Sequence, residues 1–176
     1  MAVIASFVIG SNGASSLAGT SRALSTPADR KRFLARHHSA SAFIVGKKSA
    51  ALENYGATSV PIFVYSRSSA VLHFPHPLMQ QVTVDRNLKE ITQLIDLRIE
   101  GNIVVEAGYG LLLPMIREGV IDILELSITP IAGDDDFVDQ EELLSFFEIT
   151  SDIDIDGTRL LECRYQGDTG NGESNS

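Results

Sequence analysis

Short apolar runs recur along the chain, and longer polar or amphipathic segments separate them. Such runs of apolar and β-branched residues are typical of strands buried in a sheet. A Ser/Gly/Asn-rich segment at residues 10–19 follows the first run and is predicted to be a loop. The pattern predicts strands at residues 3–9, 42–45, 61–65, 82–84 and 103–106, and one more that ends at Pro130.

Several of the intervening segments carry helix signals. Thr26 and Pro27 supply an N-cap and a first helical position. A second helix is expected between an Asp85 cap and a C-terminal Gly101, with its apolar residues on one face. The helices predicted from these signals cover residues 26–38, 85–101 and 139–146.

The C-terminal part changes from helical to strand periodicity. Residues 147–155 and 158–165 alternate apolar and polar positions around Asp156-Gly157, a strong signal for a β-hairpin. Strands separated by helices favour a mostly parallel sheet with helices on both faces. The predicted fold class is α/β, with a mostly parallel, doubly wound sheet and a C-terminal antiparallel hairpin.

Composition and charge narrow the possible partners. The chain of 176 residues has a formal net charge of −9, which argues against a nucleic-acid or anionic-membrane binder. Its single cysteine, Cys163, excludes an internal disulfide and fits a cytoplasmic location. The N-terminal apolar run is far shorter than the ~20 residues of a membrane helix. We expect one domain at residues 1–166 and a disordered polar tail at residues 167–176.

A candidate site lies in the segment at residues 103–133, which is predicted to form a strand, a glycine turn, a helix and a second strand. The turn contains Gly108 and Gly110 and lies beyond the carboxyl end of a strand, where parallel sheets place ligands. On spacing alone, such a turn is as often packing as ligand binding. Glu106 directly before the turn is unusual for a site that binds only phosphate, which indicates a separate role.

Other polar clusters are interpreted as structural. The acidic series at residues 152–156 lacks the bidentate glutamate of a calcium-binding loop, and residues 134–136 are interpreted as a solvated turn. His37 and His38 are interpreted as complementing the dipole at the end of the first helix. The sequence contains no nucleophile elbow, no P-loop and no Rossmann fingerprint.

The sequence VVEAGYGLLLPMIREGVIDILELSITPIAG resembles the closing motif of the riboflavin-biosynthesis pyrimidine reductases. These are the reductase domain of the bifunctional deaminase-reductases and have a dihydrofolate-reductase-like fold. The family has Glu-Gly-Gly or Glu-Ala-Gly after an apolar strand, and a later strand that ends in Pro and Gly. The resemblance spans about residues 3–133, and only its last quarter is specific. The matching residues are Glu106, Ala107, Gly108, Gly119, Val120, Asp122, Pro130 and Gly133.

The N-terminal half agrees more loosely with that family. Where the family has the aspartate of Ser-x-Asp-Gly, this chain has Asn12, which keeps an acceptor, loses the negative charge and adds donors. The family's Asp-Asp-Pro-x-Leu-Thr stretch is missing, and KKSAALENYG at residues 47–56 replaces it. The substrate half of the site is therefore altered more than the cofactor half.

The resemblance implies NADPH as the cofactor, with Glu106 and Asn12 on the substrate side. The helix N-termini after Gly46 and Gly108 suit the phosphates of the cofactor. The Ser66-Arg67 pair after the third strand suits the 2′-phosphate. Arg22 and Lys47 are candidates for a substrate phosphate. The residues that the resemblance assigns to the cofactor are Gly46, Ser49, Ser66, Arg67, Ala107, Gly108, Tyr109 and Gly110.

The predicted function is therefore NADPH-dependent reduction of a small pyrimidine or pterin-like substrate. It resembles that of 5-amino-6-(5-phosphoribosylamino)uracil reductase, in which a ribosyl group is reduced to ribityl. One alternative is a dihydrofolate-reductase-like enzyme, a class that usually has a carboxylate on its first helix, but Asp29 is close to the helix start for that role. The other is a catalytically degenerate nucleotide-binding relative. Because the related fold often dimerises, a homodimer is also expected.

Overall fold

The computed structural model describes residues 2–52 and 55–167. The predicted tail at residues 167–176 lies outside the described residues except for Gly167. The helices are α1 (Pro27–Ser39), α2 (Lys47–Leu52), α3 (Leu88–Asp96), α4 (Tyr109–Arg117) and α5 (Gln140–Ser145), with a 3-10 helix at Ser21–Leu24. The strands are β1 (Val3–Ile9), β2 (Ala14–Ser16), β3 (Ala42–Gly46), β4 (Ile62–Ser66), β5 (Met79–Thr83), β6 (Ile103–Glu106), β7 (Ile123–Ile128), β8 (Asp135–Phe137), β9 (Phe147–Ile155) and β10 (Thr158–Tyr165).

Eight strands form one sheet in the order β5-β4-β3-β6-β1-β7-β10-β9. The six strands from β5 to β7 are parallel, and β10 runs antiparallel to both β7 and β9. The first strand, β1, lies between β6 and β7, so the predicted strand-turn-helix-strand unit crosses over one intervening strand. The mostly parallel sheet and the C-terminal antiparallel hairpin confirm the predicted fold class.

One face of the sheet is apolar and carries helices α3, α4 and α5. Alternate residues of β1, such as Phe7 and Ile9, pack there with Ile91 of α3, Met115 of α4 and Leu143 of α5. The strand period of two sends the other residues of each strand to the opposite face. That second face carries α1 and α2.

Helix α1 contacts the sheet mainly through polar side chains. Arg36 of α1 pairs with Glu125 of β7, whose carboxylate accepts from Nε of Arg36 at 3.0 Å and also from its Nη2. Arg32 donates to Oγ of Ser127 at 2.8 Å and to the Leu161 carbonyl at 2.9 Å. Burial lowers the pKa of Arg32, opposed by the charge of Glu125. Charged groups therefore take the place of the apolar stripe that usually holds a helix on a sheet.

A small ribbon covers the carboxyl edge of the sheet. Strand β2 interrupts the predicted loop at residues 10–19 and pairs antiparallel with β8. Strand β8 likewise replaces part of the turn predicted at residues 134–136, so both predictions were wrong in part. A Cβ on Gly133 would lie 2.4 Å from the Ser16 carbonyl oxygen, so this glycine of the motif permits close packing against β2.

The boundaries of α3 differ from the prediction at both ends. Asn87 is the N-cap, and its side chain accepts from the Lys89 N–H at 2.9 Å, so the predicted Asp85 cap was wrong. The helix ends at Asp96, with Gly101 several residues beyond. By contrast, Thr26 caps α1 as predicted. Among the described residues, no helix is long and apolar enough to cross a membrane.

The Arg36–Glu125 pair gives a stability prediction. Replacing Arg36 by Leu leaves a carboxylate that is only 4% exposed without its counter-charge, and we expect a loss of about 3 kcal/mol in the free energy of unfolding. Replacing both partners by Leu should recover most of that loss. Urea denaturation measures both changes.

The matched control is Arg159→Leu. Arg159 pairs with Asp152 on the exposed hairpin, and this variant should lose less than about 1 kcal/mol. Equal losses for Arg36→Leu and Arg159→Leu would contradict the role given to the Arg36–Glu125 pair.

Candidate active site

A cavity opens at the carboxyl edge of the sheet, where the ends of β1, β3 and β6 meet the N-terminal part of α1. Its volume is about 180 Å³. The small ribbon contributes one wall through Ser15, Ser16 and Asp136, and α2 contributes another through Lys48 and Ser49. Parallel sheets place ligands at this edge, so the topology agrees with the site predicted from the glycine turn.

Glu106 ends strand β6 and lies in the wall of this cavity. Its side chain is 8% exposed, and burying a carboxylate is costly unless hydrogen bonds compensate. The Tyr55 hydroxyl donates to Oε2 at 2.8 Å, and Nε2 of His37 lies 3.5 Å from Oε1. Glu106 also lines a second cavity on its other side. The carboxylate is therefore held between α1 and the segment that follows α2.

His37 belongs to this site, which corrects its interpretation as a residue that complements the helix dipole. Its ring contacts Phe33, Phe43 and Tyr55, with ring centroids 5.4, 4.3 and 5.9 Å away. Burial lowers the pKa of His37, and the neighbouring charges of His38 and Arg30 lower it further. The neutral imidazole is therefore favoured near neutral pH, with Nε2–H as the tautomer that can donate to Glu106.

Two glycines border the cavity at strand ends. Gly46 ends β3, and Gly108 precedes α4 as its N-cap. Gly108 has φ −65°, a value open to any residue, and a Cβ placed on it would meet no atom of the described chain within 4 Å. Neither backbone conformation nor packing against the described residues requires glycine there. The free approach to the first N–H groups of α4 suits a phosphate or another polar ligand group.

The other residues assigned to the cofactor occupy different places around this edge. Ser49 and Ala107 line the cavity. Gly110 is exposed, whereas the Tyr109 ring stacks on Phe7 with centroids 6.4 Å apart, so that side chain belongs to the apolar face. Only the backbone of Tyr109 is available to a ligand at the helix N-terminus.

The predicted 2′-phosphate pair lies at the end of β4, the strand next to β3. Ser66 follows Tyr65, which pairs with Gly46, and its Oγ accepts from the Ser68 N–H at 3.1 Å. Ser66 is buried and Arg67 is exposed. The pair therefore lies at the same carboxyl edge of the sheet as the cavity, one strand beyond β3. The Arg67 side chain is exposed to solvent.

Asn12 lies in the loop between β1 and β2. It is exposed, and its amide bridges two loops: Nδ2 donates to the Gly133 carbonyl at 2.9 Å, while Oδ1 accepts from the N–H of Gly133 at 3.0 Å. Oδ1 also accepts from the Ala14 N–H at 3.3 Å. Asn12 is not part of the cavity lining. These contacts give it a role in holding β2 against the loop that follows β7.

Basic residues lie near the cavity on both its α1 side and its α2 side. Arg22 and Arg30 line both the first and the second cavity. Lys47 is exposed at the start of α2, and Lys48 approaches Asp136 across the first cavity, with Nζ 3.6 Å from Oδ2. An anionic ligand could therefore be attracted despite the negative net charge of the chain.

Asp29 is a cavity residue that sequence reasoning set aside. It is 8% exposed on the inner face of α1 and lines the first cavity. Its carboxylate accepts from the Ser25 hydroxyl, and its N–H donates to Oγ1 of Thr26 at 3.3 Å. The spacing of Asp29, Arg32, Phe33, Arg36 and His37 places all five on one helical face, a periodicity that could have indicated a polar inner surface.

Comparisons with solved structures identify the fold. A pyrimidine reductase-like protein from Corynebacterium diphtheriae is 16% identical, with 95% of this chain and 92% of that chain covered and a TM-score of 0.69. Dihydrofolate reductase from Enterococcus faecalis, complexed with NADP(H), is 13% identical, with 93% and 95% covered and a TM-score of 0.64.

A bifunctional deaminase and 5-amino-6-(5-phosphoribosylamino)uracil reductase from Thermotoga maritima is also similar. It is 13% identical and has a TM-score of 0.69, and 93% of this chain matches 56% of that longer one. No family model and no curated protein sequence matches the chain. At these identities the likeness establishes architecture: the chain has the dihydrofolate-reductase-like fold shared by the riboflavin-pathway pyrimidine reductases.

Proposed function

We propose that the protein is an NADPH-dependent reductase of a small pyrimidine or pterin-like substrate, similar to 5-amino-6-(5-phosphoribosylamino)uracil reductase. One observation carries the proposal: the buried carboxylate of Glu106 shares a cavity wall with Gly108, whose open face adjoins a helix N-terminus. The carboxylate suits a polar substrate group, and the helix end suits a cofactor phosphate.

The residues present fit a nicotinamide dinucleotide at the carboxyl edge of the sheet. Gly46 and Gly108 permit close backbone approach, and Ser49 offers a hydroxyl beside them. The exposed guanidinium of Arg67, at the end of β4, suits bidentate contact with a 2′-phosphate. Bound NADPH would supply the hydride, while the protein binds, orients and excludes water.

The substrate side is proposed to consist of Glu106 together with the basic residues beside α1. Glu106 holds a polar group of the substrate ring or sugar. Arg22, which lines both cavities, is the stronger candidate for a substrate phosphate, because Lys47 is exposed at the start of α2 and lines neither cavity. Asn12 acts indirectly in this proposal, because its amide bridges loops that shape the cavity.

A second candidate is reduction of a pterin, as in dihydrofolate reductase. The observation that favours it is Asp29, a buried carboxylate on the first helix that lines the cavity. A panel of phosphoribosylamino-pyrimidine and dihydropterin substrates, followed by NADPH oxidation, separates the two reactions. Binding of NADPH without turnover of either substrate class would instead indicate a degenerate nucleotide-binding relative.

The cofactor assignment predicts the effect of Arg67→Ala. The variant should lose most of the preference for NADPH over NADH, a change of about ten- to a hundredfold in the ratio of the two affinities, because the 2′-phosphate loses a charge-assisted partner. Calorimetric titration with both cofactors measures the ratio. Arg98→Ala is the matched control, since Arg98 is exposed before the amino end of β6, at the opposite edge of the sheet. Failure of the wild-type protein to bind either cofactor would refute the proposed function.

The role of Glu106 predicts loss of turnover in Glu106→Gln. The amide keeps the shape of the side chain and removes its charge and its ability to exchange a proton, so kcat should fall at least about a hundredfold. NADPH affinity should change little, which separates this variant from Arg67→Ala. Full turnover by Glu106→Gln with the best substrate of the panel would remove Glu106 from the mechanism.

The proposal also includes a cytoplasmic location and a homodimer. Support for the dimer comes from edge strand β9, where Ile149, Ile153 and Ile155 are 43%, 53% and 43% exposed. An exposed apolar edge strand tends to pair with another chain. Sedimentation velocity should give the mass of two chains, and Ile153→Lys should shift the protein to monomer. A monomeric wild-type protein at micromolar concentration would exclude this dimer.

A further inference from the structure

Glu106 lies between the two cavities, and His37 lies next to it at the second one. Glu106 lines both cavities, whereas His37 lines the second and is not part of the lining of the first. Nε2 of His37 lies 3.5 Å from Oε1 of Glu106. The second cavity, of about 300 Å³, has room for several water molecules. Glu106 therefore borders both cavities, and His37 stands beside it at the second, solvent-accessible cavity.

The surroundings of His37 restrict how it can hold a proton. Phe43 of β3 and Phe33 of α1 enclose its ring on two sides. The titratable and charged groups that face it are Glu106 from β6, Tyr55 from the segment after α2, Arg30 and His38 from α1 itself, and Arg22, which lines the same cavity. Among the residues that the structure describes, Glu106 is the carboxylate in this set, and it also lines the first cavity.

Tyr55 fixes the other oxygen of the carboxylate. Its hydroxyl donates to Oε2 of Glu106 at 2.8 Å, and the Tyr55 side chain is only 3% exposed. Nε2 of His37 faces the other oxygen, Oε1, at 3.5 Å. The two contacts together hold the carboxylate in one orientation between the cavities.

We propose that His37 is the positioning residue that loads Glu106 with the proton required for reduction, and that it draws this proton from water in the second cavity. The inference rests on the proposed function and adds a direction of proton flow to it. Glu106 is the group that touches the substrate, and His37 acts only through Glu106.

In the proposed reduction, a reduced nicotinamide would supply the hydride and Glu106 the proton. The hydride adds to the carbon of a substrate C=O bond, and the π electron pair of that bond moves onto oxygen. This oxygen takes the proton from the Glu106 carboxyl group, and Glu106 takes one from the His37 imidazolium. His37 then regains a proton from water, so one hydride and one proton are consumed for each new C–H and O–H bond.

Burial of His37 favours proton transfer from its imidazolium to Glu106. Because desolvation lowers the pKa of His37, its imidazolium gives up the proton readily to a neighbouring carboxylate. The protonated pair is populated at low pH and lost as pH rises through its pKa. The rate of reduction should therefore fall by about tenfold per pH unit above that pKa.

The first test uses the ligand-free protein and needs no substrate. Histidine imidazole titrations are followed by NMR in the wild-type protein and in Glu106→Gln, with single His→Gln variants to assign the four histidines. Loss of the carboxylate should lower the pKa of His37 by about one unit or more and leave that of exposed His73 unchanged. An unchanged His37 titration in Glu106→Gln overturns the proposal, whether or not a substrate is known.

The second test uses single-turnover reduction with the best substrate of the panel, so that product release does not mask the proton step. His37→Gln should lower the maximal rate at least about tenfold, change KM less than about threefold, and shift the pH at which the rate begins to decline, because Glu106 must then be reloaded without the imidazole. His37→Phe, which keeps an aromatic ring beside Phe33 and Phe43, should give the same kinetics if the Gln variant is unstable. His73→Gln is the matched control and should resemble wild type.

The two tests fail in different ways. If His37→Gln or His37→Phe is folded and keeps the wild-type pH profile, proton delivery through His37 is wrong although the reductase assignment stands. If His37 and Glu106 titrate as a coupled pair but no substrate of the panel is reduced, the proposed function is wrong and the delivery step falls with it.

Discussion

The ion pair between Arg36 and Glu125 anchors α1 to the face of the sheet opposite the larger apolar cluster. A charged pair specifies distance and direction more narrowly than an apolar contact does, because both N–H groups must reach the carboxylate oxygens. His37 is the next residue along α1, and Asp29 lies two turns earlier on the same inner face. The position of both groups at the cavities therefore depends on how this helix is held.

This anchoring explains how a buried carboxylate can be tolerated at Glu106. A carboxylate in that place needs hydrogen bonds that do not move, and His37 and Tyr55 reach it from elements far apart in the chain, α1 and the segment after α2. If α1 were held only by an apolar stripe, a small slide would separate His37 from Oε1. The polar interface of α1 thus stabilises the fold less than apolar packing would, but it restricts movement of the helix.

The sequence was informative wherever the signal is local. The segment at residues 103–133 combines a buried strand, a glycine turn and a helix within one stretch, and the structure has each of them. The Asp156-Gly157 hairpin and the Thr26 cap are local in the same sense. The topology class followed from the alternation of such elements, since parallel strands need crossover connections.

Contacts between residues far apart in the chain could not be predicted from local sequence patterns. Strands β2 and β8 are three residues each and pair across more than a hundred positions, so neither has a periodicity that a sequence window can detect. His37 looked like a helix-terminal histidine because its partner Glu106 is distant in the chain. Asp29 was set aside for its position in the first turn, although burial depends on the direction of the helix face.

Asn12 shows why a motif match does not by itself fix a role. An aspartate at this position would be an acceptor only, whereas the amide of Asn12 both donates to the carbonyl of Gly133 and accepts from its N–H. The departure from the family motif is thus suited to joining two loops. Gly133, also part of the motif, packs against β2 at the same place, where a Cβ would collide with the Ser16 carbonyl. Changes at these two positions would act on the cavity through the ribbon that borders it, whereas Glu106 and the glycine turn belong to β6 and the start of α4.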